Sequence, residues 1–194
     1  MPSTQKKSAA KPASPKSTKK TSAKPLKTPA AKKPKAAPKT SASVASKSAP
    51  VCRLALTGNK TVDLASFKGK KHVVLYFYPK DDTPGCTIEA NDFAALNAQF
   101  EKANAVVIGI SKDDLKSHDK FRAKYKLPFA LASDDSGIAE AFGAWGEKNM
   151  YGKKYMGIVR STFLIDISGK IVRSWPKVNV TGHAAEVLAA VKAL

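Results

Sequence analysis

The run His72-Val-Val-Leu-Tyr-Phe-Tyr78 constrains the fold more than any other stretch: it is apolar, β-branched and aromatic, short enough for a buried strand, and stopped by Pro79. A helical pattern follows, with Phe93, Leu96 and Phe100 recurring on one face and Pro84-Gly85 marking the start. The unit is therefore strand, tight turn and helix. The turn, Pro79-Lys-Asp-Asp-Thr83-Pro-Gly-Cys86, puts a cysteine in or near the first helical turn and a hydroxyl three residues before it. The sulfur then faces backbone N–H groups that have no intrahelical acceptor.

Such a placement favours a thiolate without being sufficient for one. A free thiol titrates near pH 8.5 and is only ~3% ionised at neutral pH. Making it roughly three-quarters thiolate takes ~2.7 kcal/mol of preferential stabilisation. A helix N-terminus supplies about 0.3–1 kcal/mol and rarely ~2. The Thr83 hydroxyl, able to donate to the sulfur or to an attacked oxygen, carries no charge. A cation from elsewhere in the fold is required, and an arginine is the natural candidate.

The remaining pattern alternates strands and helices. Ala105–Ile110 reads as a second buried strand, 114–126 as a helix with Phe121 and Tyr125 one turn apart, and Phe129–Ala132 as a short strand. Arg160–Asp166 and Lys170–Trp175 form a hairpin across Ser168-Gly169. A last helix starts at about Thr181, a plausible cap, with Ala184, Val187, Leu188 and Val191 on one face.

Pro79-x-x-x-Thr83-x-x-Cys86 matches the active-site signature of the peroxiredoxins, and Tyr76-Phe-Tyr-Pro-Lys-Asp-Asp-Thr-Pro-Gly-Cys-Thr87 resembles the bacterioferritin-comigratory, or Q-type, branch. Ala49-Pro50 through Thr61-Val62 and Phe67–Lys70 resemble that family's N-terminal hairpin. Trp145–Lys148 and Met150–Ile158 resemble its later loop, and Arg160-Ser-Thr-Phe-Leu-Ile-Asp166 the segment bearing its active-site arginine. The resemblance spans residues 49–194 and implies a thioredoxin-like α/β fold, a central mixed sheet flanked by helices. Several segments agreeing in order is a far stronger signal than a lone Thr-x-x-Cys, which is more often a buried structural cysteine.

The resemblance implies that Cys86 is the peroxidatic thiolate, attacking hydrogen peroxide or an organic hydroperoxide and becoming a sulfenic acid. It implies that Arg160 is the missing cation and, with Thr83 and backbone N–H groups, stabilises the departing oxygen. Pro79 is expected to shield the sulfur from water, and Glu89, one turn on, to orient Arg160 or nearby backbone. Many Q-type members carry a resolving cysteine five residues after the first; here that position is Asn91. The second cysteine, Cys52, shares a strand face with Leu54 and Leu56 and reads as buried packing. A one-cysteine mechanism follows, with thioredoxin, the family's usual donor, or another thiol reducing Cys86. The branch's habit implies a monomer.

Residues 1–48 hold thirteen lysines and no acidic residue, the rest being nearly all Ala, Pro, Ser and Thr, and supply thirteen of the nineteen net positive charges. Almost without large apolar residues, they cannot offset the entropy of folding and read as a disordered tail preceding the 49–194 domain. Ser14-Pro-Lys-Ser-Thr-Lys-Lys20 and Ala30–Lys39 resemble the tails of linker histones and bacterial histone-like proteins. Lysines spaced on an extended backbone neutralise DNA phosphates without reading sequence. Non-specific DNA binding through residues 1–48 is the expected partnership, placing the chain at a nucleoid or, through a Lys32-Lys-Pro-Lys35 import signal, in a nucleus.

Other classes are disfavoured. No apolar stretch follows Met1 and no run reaches membrane-spanning length, so no export signal or membrane partner is expected, and two cysteines suit a reducing interior. His72, His118 and His183 lie far apart, Asp81-Asp82 and Asp113-Asp114 sit where turns and caps favour aspartate, and no glycine-rich phosphate cradle follows a strand. Neither a metal nor another cofactor is expected. Trp145 and Trp175 read as packing residues. Position 83 is threonine, so the dithiol of a disulfide oxidoreductase is missing. Two readings stand: a thiol peroxidase tethered near DNA, or a histone-like DNA-binding protein whose second domain is incidental or senses redox state.

Overall fold

The computed structural model describes residues 47–150 and 152–194. The reading of 1–48 as a disordered, DNA-binding tail lies outside these as far as residue 46. Lys47–Ser48 (β1) pair with Lys170 and Ile171, so ordered pairing begins two residues before position 49.

Arg53–Leu56 (β2) and Lys60–Asp63 (β3) form a hairpin, and a 3₁₀ turn over Leu64–Phe67 leads to His72–Phe77 (β4). Pro84–Lys102 (α1), Ala105–Ser111 (β5), Leu115–Tyr125 (α2), Ala130–Ser133 (β6) and Ile138–Phe142 (α3) follow. Trp145–Met150 (β7) and Lys153–Ile158 (β8) make a separate two-stranded sheet. Ser161–Ile165 (β9), Lys170–Trp175 (β10) and His183–Lys192 (α4) complete the fold.

Among the described residues the main sheet has eight strands in the order β1-β10-β9-β4-β5-β6-β2-β3. β4, β5 and β6 run parallel, while β9 lies antiparallel to β4 on its other side. This is the mixed sheet of the thioredoxin-like class. Alternation along β4 separates two cores. Val74, Tyr76 and Tyr78 join Cys86, Phe93, Phe100, Val187 and Val191 beneath α1 and α4. Val73, Leu75 and Phe77 point to the opposite face, among Leu54, Ile138 and Phe142. Each large apolar side chain fully buried there contributes about 1.5–3 kcal/mol of transfer free energy, which explains why β4 reads as a continuous apolar run.

Three readings need correction. The last helix is not capped by Thr181: Gly182 takes the N-cap position at φ 75°, a left-handed conformation that glycine adopts without Cβ strain. The Trp145–Ile158 segment, read as a loop, is the β7–β8 hairpin. The third parallel strand runs one residue later than Phe129–Ala132.

Candidate active site

Local sequence sets the turn. Thr83 has extended backbone (φ −93°, ψ 151°) at the N-cap of α1 and Pro84 occupies the first helical position, where its missing N–H costs nothing. Thr87 N–H donates to the Thr83 carbonyl at 2.9 Å as the first helical bond. Gly85 and Cys86 therefore lie in the first turn, whose N–H groups lack intrahelical acceptors. The Cys86 side chain points inward: the residue is 1% exposed.

Arg160 arrives through sheet register. Phe77 pairs with Ser161 across the β4–β9 ladder, so the preceding residue, Arg160, lies level with the end of β4 where the turn departs. Its carbonyl accepts from Val178 N–H at 3.0 Å. Its Nη2 donates to Cys86 Sγ at 3.1 Å, and its Nη1 donates to the Glu89 carboxylate. Glu89 follows Cys86 by three residues on the same helical face and is buried. One guanidinium thus spans sulfur and carboxylate, as a planar fork can and a lysine ammonium cannot.

Electrostatics tie the three together. Burial pushes the Glu89 carboxyl up to about 7, against the pull of Arg160. Burial works against the Arg160 charge, but Glu89 and the Cys86 sulfur outweigh it and hold the guanidinium protonated more firmly than usual. Glu89 Oε1 and the Tyr76 hydroxyl are buried without a hydrogen-bond partner among the described residues. Burial, then the Glu89 and Cys86 charges, push the Tyr76 phenol well up.

Of the four expected site residues, Cys86 and Arg160 are brought into contact, and Pro79, half-buried, and Thr83 frame the turn between them. The Thr83 hydroxyl donates to the Lys80 carbonyl at 3.1 Å rather than to the sulfur, because the turn folds back across residues 80–83. Cys52 packs, half-buried, against the opposite face of the sheet from Cys86, and burial followed by Asp134 and Asp63 pushes its thiol up to about 11.

Sequence reading missed two features. Lys148 Nζ donates to the Ile158 carbonyl at 3.0 Å, two residues before Arg160, and burial followed by the Arg160 charge pulls its pKa down. No periodicity marks it in the polar hairpin. His118, dismissed as isolated, is buried with its Nδ1 2.9 Å from Asp81 Oδ2. Its position three residues before Phe121, on the inward face of α2, was the available signal.

Residues 45–174 match the AhpC/TSA family, and the chain belongs to it. It is similar to peroxiredoxin Bcp of Bacillus subtilis (49% identity over 147 residues, 75% of this chain and 93% of that protein). Peroxiredoxin Bcp of Xanthomonas campestris is 51% identical over 141 residues, covering 72% of this chain and 88% of its own length. A solved structure of the X. campestris bacterioferritin comigratory protein, in a trapped intermediate/ligand complex bearing on its alkyl peroxide reduction activity, superposes with a TM-score of 0.70 at 50% identity, over 73% of this chain and 90% of that one. These relatives place the chain among the Bcp/Q-type peroxiredoxins, which are thiol peroxidases. No helix among the described residues is long and apolar enough to cross a membrane.

Proposed function

We propose that the chain reduces hydrogen peroxide and organic hydroperoxides at Cys86, by a one-cysteine mechanism, as a monomer held near DNA by its basic tail. The observation that carries the catalytic part is the 3.1 Å contact between Arg160 Nη2 and Cys86 Sγ at a helix N-terminus. The Cys86 thiolate attacks the terminal peroxide oxygen, the O–O bond breaks, and the departing hydroxide or alkoxide takes up a proton as water or alcohol. Sulfur is oxidised to the sulfenic acid as the peroxide is reduced. Arg160 and the first-turn N–H groups stabilise charge on the leaving oxygen, the Thr83 hydroxyl oxygen, its proton donated to the Lys80 carbonyl, accepts from the peroxide O–H and so orients it, and Pro79 excludes water. A thiol reductant then attacks the sulfenic sulfur, releasing water and forming a mixed disulfide that a second thiol opens. Alkyl peroxide reduction by the X. campestris relative supports organic hydroperoxides as substrates.

Placement of Cys52 on the other face of the sheet, with its thiol held protonated at neutral pH, supports reduction by an outside thiol. So does Asn91, exposed, five residues after Cys86. The DNA role rests on the thirteen lysines of residues 1–48. Steady-state peroxide turnover with thioredoxin or a small thiol, in the full chain and in one lacking residues 1–46, tests both parts. Turnover is expected in both, and DNA retention in the full chain only, falling roughly a thousandfold between ~50 and ~200 mM salt if six lysines engage phosphate. Loss of turnover on truncation, or salt-independent retention, would contradict this division of labour.

A further inference from the structure

Two consecutive aspartates join the turn before Cys86 to one face of α2. Asp81, buried, accepts at Oδ1 from the Tyr78 hydroxyl at 2.7 Å and at Oδ2 from the Ser117 hydroxyl at 2.9 Å, with His118 Nδ1 2.9 Å from Oδ2. Its own N–H donates to Asp113 Oδ2 at 2.8 Å. The next residue, Asp82, has left-handed backbone at φ 55°, which a side chain bearing a Cβ rarely adopts. Its carboxylate accepts from Lys124 Nζ at 2.6 Å and from the Tyr125 hydroxyl at 2.6 Å. Ser117-His118 and Lys124-Tyr125 are seven residues apart, two helical turns along the same face. The inner attachment is buried and the outer one exposed.

This arrangement exceeds what a surface turn needs. A buried carboxylate is costly unless its lone pairs are filled, and Asp81 has three donors on its side chain. His118 Nε2 is itself buried without a partner among the described residues, so the ring is retained at a cost that apolar packing would avoid. The turn so fixed runs from Pro79 to Thr83 and ends at the helix that carries Cys86.

We infer that Asp81 and Asp82, through His118 and Ser117 and through Lys124 and Tyr125, clamp the 79–83 turn to α2 and thereby hold Pro79 and Thr83 in register with the Cys86 sulfur. These are positioning residues: none touches the sulfur, and α2 acts as a rigid backing for the site. The inference rests on the peroxidase reading. Its consequence is selective, because a loosened turn misplaces the groups that orient a peroxide while leaving the thiol at least as open to a reagent that needs no such orientation.

The test uses the full chain and three readouts: the second-order rate of Cys86 oxidation by hydrogen peroxide, the rate of its alkylation by iodoacetamide, and amide exchange over residues 79–87. His118→Leu removes one of the two α2 donors to Asp81, leaving Ser117, and the double variant K124A/Y125F removes both donors to Asp82, which is exposed. Peroxide oxidation is expected to fall at least tenfold in His118→Leu and severalfold in K124A/Y125F, with alkylation unchanged or faster and exchange over 79–87 accelerated. Should His118→Leu not fold, K124A/Y125F decides alone. Peroxide rates within twofold of the unaltered chain, or oxidation and alkylation falling together, would overturn the clamp. An unaltered chain oxidised no faster than free cysteine sinks the peroxidase reading instead, and unchanged exchange over 79–87 would then overturn the clamp by itself.

Discussion

Arg160 holds Cys86 and Glu89 with the two terminal nitrogens of one guanidinium, Nη2 lying 3.1 Å from the sulfur and Nη1 on the carboxylate. Replacing Arg160 with lysine keeps the charge but cannot span both partners. Arg160→Lys is expected to slow peroxide oxidation of Cys86 about a hundredfold, the loss typical of removing one oriented donor from a transition state. Stopped-flow oxidation of the reduced protein measures this; a rate within a few-fold of the unaltered chain would remove Arg160 from the chemistry.

Glu89 gives stability a pH dependence of defined sign. Burial raises its folded pKa to about 7 from an ordinary 4.5, so between those values the folded chain keeps a proton that the unfolded chain has released. Its contribution to stability therefore declines as pH rises from about 4.5 to about 7, by on the order of 3 kcal/mol. Urea unfolding at the two ends of this window should show the decline vanish in Glu89→Gln; an identical pH slope in both chains would refute it.

His183 acts with the opposite sign. Burial, reinforced by Arg160, lowers its pKa to about 4, and Thr162 Oγ1 lies 2.8 Å from its Nε2. The unfolded chain takes up a proton near pH 6.5 that the folded chain refuses, so this contribution is complete above about 6.5 and lost as pH falls toward 4. The His183 imidazole resonances should stay in their neutral positions from pH 8 to about 5.5. Titration near 6.5 would contradict the assignment.

Gly109 in β5 is fixed by packing. A Cβ there would lie 2.5 Å from the Tyr76 ring and hydroxyl and 2.8 Å from Leu131 Cδ2. Gly109→Ala is expected to destabilise the fold by about 1–3 kcal/mol, as over-packing does, and to disturb Tyr76 beside the site. Unchanged denaturant stability would mean that the core yields more easily than its geometry indicates.

The two cysteines should remain apart. Peroxide treatment without reductant should leave Cys86 oxidised and Cys52 a free thiol, since the sheet lies between them. Intact-mass analysis distinguishes the outcomes: added oxygen on Cys86 agrees, and quantitative loss of two hydrogens in an internal disulfide contradicts.

The strand–turn–helix around Cys86 was legible because hydrophobic period changes there from a continuous buried run to helical spacing, with Pro79 and Pro84 marking the boundaries. The hairpin of β7 and β8 was not, because β8 is largely exposed and imposes no apolar alternation. Thr181 was a reasonable cap on residue type, but Gly182 supplied the left-handed backbone the chain needed there. Residue resemblance pointed to Arg160, yet its contact with Cys86 joins positions 74 residues apart and depends on the β4–β9 register, which local sequence does not encode. Asp81 and His118 lie 37 residues apart, and taken singly they looked like an ordinary loop acid and an isolated histidine.

Single-turnover oxidation of the pre-reduced chain by hydrogen peroxide, with Cys86→Ser beside it, tests the central claim most directly. The account predicts a rate orders of magnitude above that of free cysteine, absent in the variant. A rate equal to that of free cysteine, or one that survives loss of Cys86, would contradict it.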